Sequence, residues 1–404
     1  MKPLRIGIVG YGYWGPMLVR NFSQLPEFEV AGVADLQPER LARAAAEYGV
    51  RNTTSDVEDL LGDDSIEAIA IATPISTHAD LARRALRAGK HVWLEKPMAH
   101  SVAACEELMA LAREHDRVLL VDHTFLYTGA VEKMRELIQG GELGDLYYFD
   151  SVRVNLGLFQ HDYNVVWDLA PHDLSIMLHL MDDRPVQVQA MGASPMGALP
   201  TGALPLGAPP LGAPPIGALP TGAPPLQSAG EGPTTRSLES VAYVTIRFAS
   251  GLIGHLHVNW LAPKKVRMML IGGSKKMLVW DDVEPDTKVK VYDSGVDLPD
   301  TSESKYHTRI QYRTGDMWAP KLDKTEALRK ECQHFFRCAR DGETPRSGAQ
   351  LGRDVVALLE AAQRSLDSGG MPIDLDPQWA PAALPARNSS VPLREGARRF
   401  AVGS

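Results

Sequence analysis

The sequence predicts two joined folds: an α/β domain built on a doubly wound parallel sheet, then an α+β domain with a large open, mostly antiparallel sheet. Three observations predict this. Near the N-terminus an apolar strand, Ile6-Gly7-Ile8-Val9, runs straight into the Gly-x-Gly-x-x-Gly turn Gly10-Tyr11-Gly12-Tyr13-Trp14-Gly15. From Ile6 to about Asp122, short β-rich runs alternate with helical segments. Beyond Asp122, strands follow one another across short polar or glycine turns.

The opening stretch reads as a phosphate cradle. Gly10 lets the strand turn tightly, Gly12 keeps no side chain between backbone and pyrophosphate, and Gly15 lets the next helix pack close. Trp14–Leu25 has helical amphipathic spacing with Pro16 in its first turn, so free N–H groups and the positive dipole end face the anion. This makes a Rossmann-type domain the expectation. The next apolar run, Phe28–Ala34, ends in Asp35, placed to accept hydrogen bonds from the adenosine ribose and to repel a 2′-phosphate. NAD is therefore expected before NADP. Asp35 equally suits a cap for the helix expected over Pro38–Tyr48, and Arg40 within that helix keeps NADP as second choice.

The alternation continues through Ala68–Ala72, a helix over Thr77–Ala88, His91–Leu94, a helix over Ser101–His115, and Val118–Val121. Ile66–Ala72 and Val118–Val121 are near-continuous apolar runs, as strands covered on both faces require. In such folds ligands bind at the carboxyl ends of the strands. The expected cofactor set is therefore Gly10, Tyr11, Gly12, Tyr13, Trp14, Gly15 and Asp35, joined by Thr73, Pro74, His78, Glu95 and Lys96.

In the second half a helix over Gly129–Ile138 leads to a long strand, Leu146–Leu156. A loop, Gly157–Val166, precedes a helix expected over Leu169–Met181 and a strand over Val186–Met191. Strands at Ser240–Phe248, Gly254–Trp260, Val266–Gly272, Lys276–Trp280 and Lys288–Tyr292 read as a meander with one open face. Helices at Thr325–Arg340 and Gly352–Ser368 close the pattern. The expected division is 1–122 for the dinucleotide domain, 123–370 for the substrate and oligomerisation domain, and 371–404 for a flexible tail, with poor order expected from Gly369.

Between Met196 and Pro225 the chain repeats every five residues, as in Thr-Gly-Ala-Leu-Pro and Leu-Gly-Ala-Pro-Pro. Proline removes amide donors and glycine adds chain entropy, so a turn and polyproline loop is expected here, within a low-complexity insertion over 193–237. A slippage-expanded surface loop is the simplest reading, and a protein-binding tether the alternative. It is expected to spare the active site and to alter an oligomer face.

With 404 residues, 44% of them hydrophobic, the chain can bury a full core. A formal charge of −8 without a basic block argues against nucleic acid as a partner. Cys105, Cys332 and Cys338 have no C-x-x-C spacing, which suits a reducing cytoplasm without a disulfide framework or structural zinc. No apolar run approaches the ~18 residues of a spanning helix. Met1-Lys2-Pro3-Leu4-Arg5 enters the first strand directly, so no signal peptide is expected.

Two groups could carry chemistry. Lys96, within Glu95-Lys96-Pro97, follows a strand at its carboxyl end and could take a proton or stabilise an alkoxide; an exposed Lys-Glu pair is the plainer reading. Asp168 and His172, four apart, face one way on a helix, so the carboxylate could orient the imidazole; Asp168 as an N-cap with a surface His172 is the plainer reading. His161, Asp162, Asp168, His172 and His179 lie close together but lack ligand spacing, so no metal is expected.

Gly10-x-Gly12-x-x-Gly15, Glu95-Lys96-Pro97 after Thr73-Pro74, and Asp168-x-x-x-His172 together resemble the glucose-fructose oxidoreductase, inositol dehydrogenase and rhizopine-catabolism (Gfo/Idh/MocA) family over about residues 4–370, the insertion apart. The resemblance implies that Lys96, Asp168 and His172 meet beside the nicotinamide, with Lys96 and His172 sharing the acid/base work and Asp168 orienting one of them. Val121–Tyr127, Asp150–Asp168 and Trp318–Asp323 are similar to its UDP-N-acetylglucosamine and sugar 3-dehydrogenase branch. This implies hydride transfer from a secondary hydroxyl, at C3, of a sugar or nucleotide-sugar, with Lys96 and His172 at the substrate; by their position before the Asp168 helix, Arg153, Asn155, His161 and Tyr163 are expected as further hydroxyl or phosphate contacts. It also implies a homodimer or homotetramer through the C-terminal sheet. An NAD-dependent glycoside hydrolase, an inositol or polyol dehydrogenase and a non-catalytic nucleotide sensor are the competing expectations.

Overall fold

The computed structural model describes residues 2–157, 163–195, 197, 238–297 and 311–376. The first sheet comprises β1 (Leu4–Val9), β2 (Phe28–Ala34), β3 (Thr53–Thr54), β4 (Ala68–Ile71), β5 (His91–Glu95) and β6 (Leu119–Asp122). Its order is β3-β2-β1-β4-β5-β6, parallel throughout. The helices α1 (Gly15–Gln24), α2 (Pro38–Tyr48), α3 (Glu58–Leu61), α4 (Ile75–Arg87) and α5 (Val102–Glu114) connect the strands. All four residues of β4 are buried, as helices on both faces require. Strand order reverses beside β1, which opens a crevice at the carboxyl ends of β1 and β4. Helix α4 begins two residues before the expected start: Pro74 is its extended N-cap, and Thr77 lies inside the first turn with Oγ1 donating to the Pro74 carbonyl at 2.8 Å.

A 3-10 turn, Thr124–Tyr127, and α6 (Gly129–Gln139) lead into the second sheet. It contains β7 (Leu146–Leu156), β8 (Pro185–Ala193), β9 (Val241–Phe248), β10 (Ile253–Asn259), β11 (Leu261–Gly273), β12 (Met277–Asp281) and β13 (Val289–Tyr292). After the two-stranded β14 (Gly295–Asp297) and β15 (Gln311–Arg313), β16 (Met317–Trp318) and β17 (Ile373–Asp374) supply its edges. The expected meander is interrupted. The order is β16-β13-β12-β11-β7-β10-β9-β8-β17, with β7 antiparallel to β11 and parallel to β10. The sheet is mostly antiparallel, and its central strand comes first in the chain.

The helix α7 (Val165–Leu180) and the pair α8 (Ala327–Asp341) and α9 (Ala349–Asp367) complete the fold. Helices α7 and α9 cover one face of the second sheet. Leu328, Cys332, Phe335 and Phe336 of α8 return to the first domain and pack in the core cluster of Leu4, Phe22, Phe28 and Trp93.

Two expectations need correction. The chain beyond Gly369 continues into the sheet, because Ile373 pairs with Val188 and Asp374 with Gln187 of β8; residues 377–404 lie outside the described residues. Helix α7 starts four residues earlier than expected, capped by Asn164, whose Oδ1 accepts from Val166 and Trp167 N–H at 3.1 and 3.3 Å. Asp168 is thus free of capping duty. The pentapeptide repeats, apart from Gly197, lie outside the described residues; Ala193 and Val241, on either side of them, are paired on the adjacent strands β8 and β9.

Candidate active site

The glycine turn has the shape its sequence requires. Gly10 has φ of +96°, and a Cβ there would sit 2.6 Å from the Ala72 carbonyl oxygen. A Cβ on Gly15 would lie 2.4 Å from the Gly10 carbonyl oxygen, so α1 packs directly on the turn. At Gly12 a Cβ would meet only Arg40 Nη1, at 3.7 Å, and otherwise open space. The amino end of α1 has no side-chain cap. A pyrophosphate fits this cradle, with turn and helix N–H groups as donors.

Asp35 is buried at the end of β2. Its Oδ2 accepts from Tyr11 N–H at 2.7 Å, its Oδ1 accepts from Gln37 N–H at 2.9 Å, and Arg40 Nη1 lies 3.4 Å away. The Tyr11 ring is buried and its hydroxyl donates to Glu47 at 3.2 Å; burial first, then the Glu47 carboxylate, pushes the phenol up to about 12. Tyr13 and Trp14 stand exposed beside the turn in an edge-to-face pair. Thr73 Oγ1 shares a 2.7 Å hydrogen bond with Thr77 and, with Pro74, shapes the loop after β4.

Two residues expected at the cofactor turn elsewhere. His78 is buried with Nδ1 2.8 Å from the Pro97 carbonyl and Nε2 2.9 Å from the Thr73 carbonyl. It braces one cofactor-side loop against the other and has no free nitrogen for the cofactor. The Glu95 carboxyl is buried against Asp122, which also bonds Glu331 of α8 and Thr124. Desolvation first, then the neighbouring Asp122, pushes Glu95 and Glu331 well above the usual carboxylate range.

Lys96 does cross to the second domain. Its Nζ donates to the main-chain carbonyl of Asp168 at 2.9 Å and lies 3.8 Å from the Asp168 carboxylate. The other carboxylate oxygen accepts from Trp260 Nε1 at 2.9 Å. The Asp168 carboxylate therefore positions Lys96, with no hydrogen bond to His172 among the described residues. His172 lies one turn along α7, its ring edge-on to Phe125 at 5.0 Å and its Nδ1 buried without a partner. Burial, then the charges of Lys96, Arg153 and Arg267, hold its pKa well below the ordinary value, so the ring is neutral at neutral pH.

The remaining substrate candidates separate. Arg153 is buried and bidentate to Asp173 of α7, at 3.0 and 2.6 Å. Asn155 donates to its neighbour's carbonyl, Leu156 O, at 3.1 Å. Tyr163 lies just before the Asn164 cap, and His161 falls outside the described residues.

Sequence reasoning missed Trp260, which sits in the link between β10 and β11, and His123. His123 is buried with both ring nitrogens unpartnered, and burial, then Lys96, lowers its pKa to about 3. Its signals were its place directly after a parallel strand and its position within the Val121–Tyr127 resemblance. Among the described residues no group of His, Cys, Asp and Glu is arranged to hold a metal, and no helix is long and apolar enough to cross a membrane.

Residues 4–123 match the oxidoreductase family with an NAD-binding Rossmann fold, and residues 131–279 match the GFO/IDH/MocA C-terminal domain. The chain belongs to the GFO/IDH/MocA oxidoreductase family. It is 33% identical over 197 residues to a UDP-N-acetylglucosamine 3-dehydrogenase of Acidithiobacillus ferrooxidans, covering 48% of this chain and 59% of that enzyme, so it spans under two thirds of that relative. It is 22% identical over 377 residues to a myo-inositol 2-dehydrogenase of Thermotoga maritima, covering 90% of this chain and 96% of the relative. The solved structure of a levoglucosan dehydrogenase in complex with NADH and L-sorbose superposes with a TM-score of 0.71 at 20% identity, over 93% of this chain and 100% of that one. This GFO/IDH/MocA member thus shares the fold of sugar dehydrogenases along nearly its whole length.

Proposed function

We propose that the protein is an NAD-dependent dehydrogenase that oxidises a secondary hydroxyl, at C3, of a sugar or nucleotide-sugar. The observation that carries this reading is the tie between Lys96, at the end of a strand of the NAD-binding sheet, and Asp168, one turn before His172 on the helix of the second sheet. Lys96 bears the positive charge that stabilises a developing alkoxide. His172, kept neutral by burial, is in the state that accepts the hydroxyl proton. Asp168, held by Trp260, fixes the Lys96 ammonium. NAD would supply the hydride acceptor through its nicotinamide, with the Gly10–Gly15 turn holding its pyrophosphate and Asp35 its adenosine ribose.

The relatives named as UDP-N-acetylglucosamine, myo-inositol and levoglucosan dehydrogenases support a polyhydroxylated substrate. The reading includes self-association through the open face of the second sheet, where Leu156, Tyr243 and Ile253 are exposed. NADH formation across UDP-sugars, free sugars and inositols tests the activity. Turnover of none of them, or sugar release without accumulating NADH, overturns it; the second result is that of a hydrolase.

A further inference from the structure

Basic side chains crowd one end of the cleft beyond what the mechanism uses. Arg153 of β7 and Arg267 of β11 are direct cross-strand partners, and like charges directly opposite one another weaken a sheet. Their guanidinium carbons lie 4.7 and 4.8 Å from the centre of the Phe125 ring. That ring is the one packed edge-on against His172, so the two cations border the imidazole.

The nearby carboxylates offset these charges only in part. Arg153 closes on Asp173, a buried pair. Asp282 is shared between Arg267 Nη1 at 2.6 Å and Lys288 Nζ at 3.0 Å. Arg267 keeps a buried Nε without a partner. Lys265, two residues along β11, is exposed and makes no hydrogen bond or ion pair among the described residues. Arg267 first, then partial burial, with Arg153 and Lys288, hold its ammonium below the ordinary value, and Asp282 offsets them only in part. Arg153, Arg267, Lys265 and Lys288 thus face Asp173 and Asp282 in a patch short of negative charge.

We propose that this patch receives an anionic group of the substrate, a carboxylate or phosphate carried close to the reacting hydroxyl, with Arg267 and Lys265 as its contacts. The proposal rests on reading Lys96 and His172 as the dehydrogenase site. A neutral sugar leaves the cross-strand repulsion in place, whereas an anion relieves it and gains charge-assisted hydrogen bonds. Such an anion comes from a ring carboxylate, a phosphate monoester or the diphosphate of a nucleotide-sugar.

The test is calorimetric titration of the NADH-loaded protein with matched pairs: glucose against glucuronate, glucose against glucose 6-phosphate, and N-acetylglucosamine against its UDP derivative. The acidic member of at least one pair is expected to bind about tenfold or more tighter, the scale of one retained ion pair, and the responding pair identifies the source. Lys265→Ala and Arg267→Gln are expected to remove that preference, with Lys265→Arg restoring it and NADH affinity unchanged in all three. Equal affinity within every pair, or a preference that survives Lys265→Ala, overturns the proposal. Acid-selective binding without NADH formation in the reverse-loaded NAD complex upholds the anion site and overturns the dehydrogenase reading, so the two failures are distinct.

Discussion

Lys96 Nζ donates 2.9 Å to the main-chain carbonyl of Asp168 and stands 3.8 Å from its carboxylate, so a side chain of the NAD-binding sheet is fixed by the helix that bears His172. Cofactor end and substrate end are registered through this one pair. Lys96→Ala and His172→Ala should each keep NADH affinity within about twofold and lower kcat by about 10²–10⁴. NADH fluorescence titration with steady-state kinetics checks this, and wild-type kcat in both variants sinks the mechanism.

Trp260→Phe keeps an aromatic ring at this buried position while removing the Nε1–H that Asp168 accepts at 2.9 Å, along with the second indole ring. A hydrogen bond to a charged group contributes about 1.5–3 kcal/mol. The expected result is a fall in kcat/KM of roughly tenfold or more at unchanged NADH affinity. Unaltered kcat/KM would show that Asp168 needs no such support.

Gly12→Ala and Gly10→Ala should part company. A methyl at Gly12 enters open space, so the protein keeps its Tm while NADH binding weakens; one at Gly10 strikes the Ala72 carbonyl at 2.6 Å under a φ of +96° and lowers Tm. Equal Tm losses in the two variants would contradict the cradle geometry.

His123 is held neutral by burial, with its pKa lowered to about 3 against about 6.5 for the unfolded chain. Since the folded value is depressed, its contribution is full above about pH 6.5 and is lost as pH falls toward about 3. His91, lowered to about 4, and His179, lowered to about 3, act in the same direction. His123→Asn should therefore reduce the drop in Tm between pH 7 and pH 5. An unchanged drop rejects a neutral buried imidazole there.

Glu331 works with the opposite sign. Burial beside Asp122 raises its pKa, so its contribution is full below the unfolded value, about 4.3, and is lost as pH rises. Glu331→Gln, neutral at every pH, should raise Tm relative to wild type more at pH 8 than at pH 5. A pH-independent difference would mean that Glu331 ionises freely in the folded protein.

What the sequence made legible was what neighbours in the chain can encode. Gly10, Gly12, Gly15 and Asp35 are set by one strand–turn–helix–strand unit, Lys96 by its place after β5 and His172 by its four-residue spacing from Asp168. Asn164 displaced Asp168 as cap because Asx residues bond the N–H groups two and three residues on, a preference readable from sequence once the helix start is moved. Trp260 and Arg267 were beyond local reading. They reach the site because β7 inserts between β10 and β11, a pairing set by long-range register and not by any pattern within either strand. The Glu95–Asp122–Glu331 contact likewise requires α8 to return from the far end of the chain.

Ala193 and Val241 face each other on neighbouring strands, so the repeat-bearing segment leaves and re-enters the sheet about one strand spacing, roughly 4.8 Å, apart. Glu239 accepts from Asn164 at 2.8 Å and anchors that re-entry against the α7 cap. Because both flanks are held in the sheet, deleting repeats is expected to leave the β8–β9 register and the Asn164 cap of α7 in place.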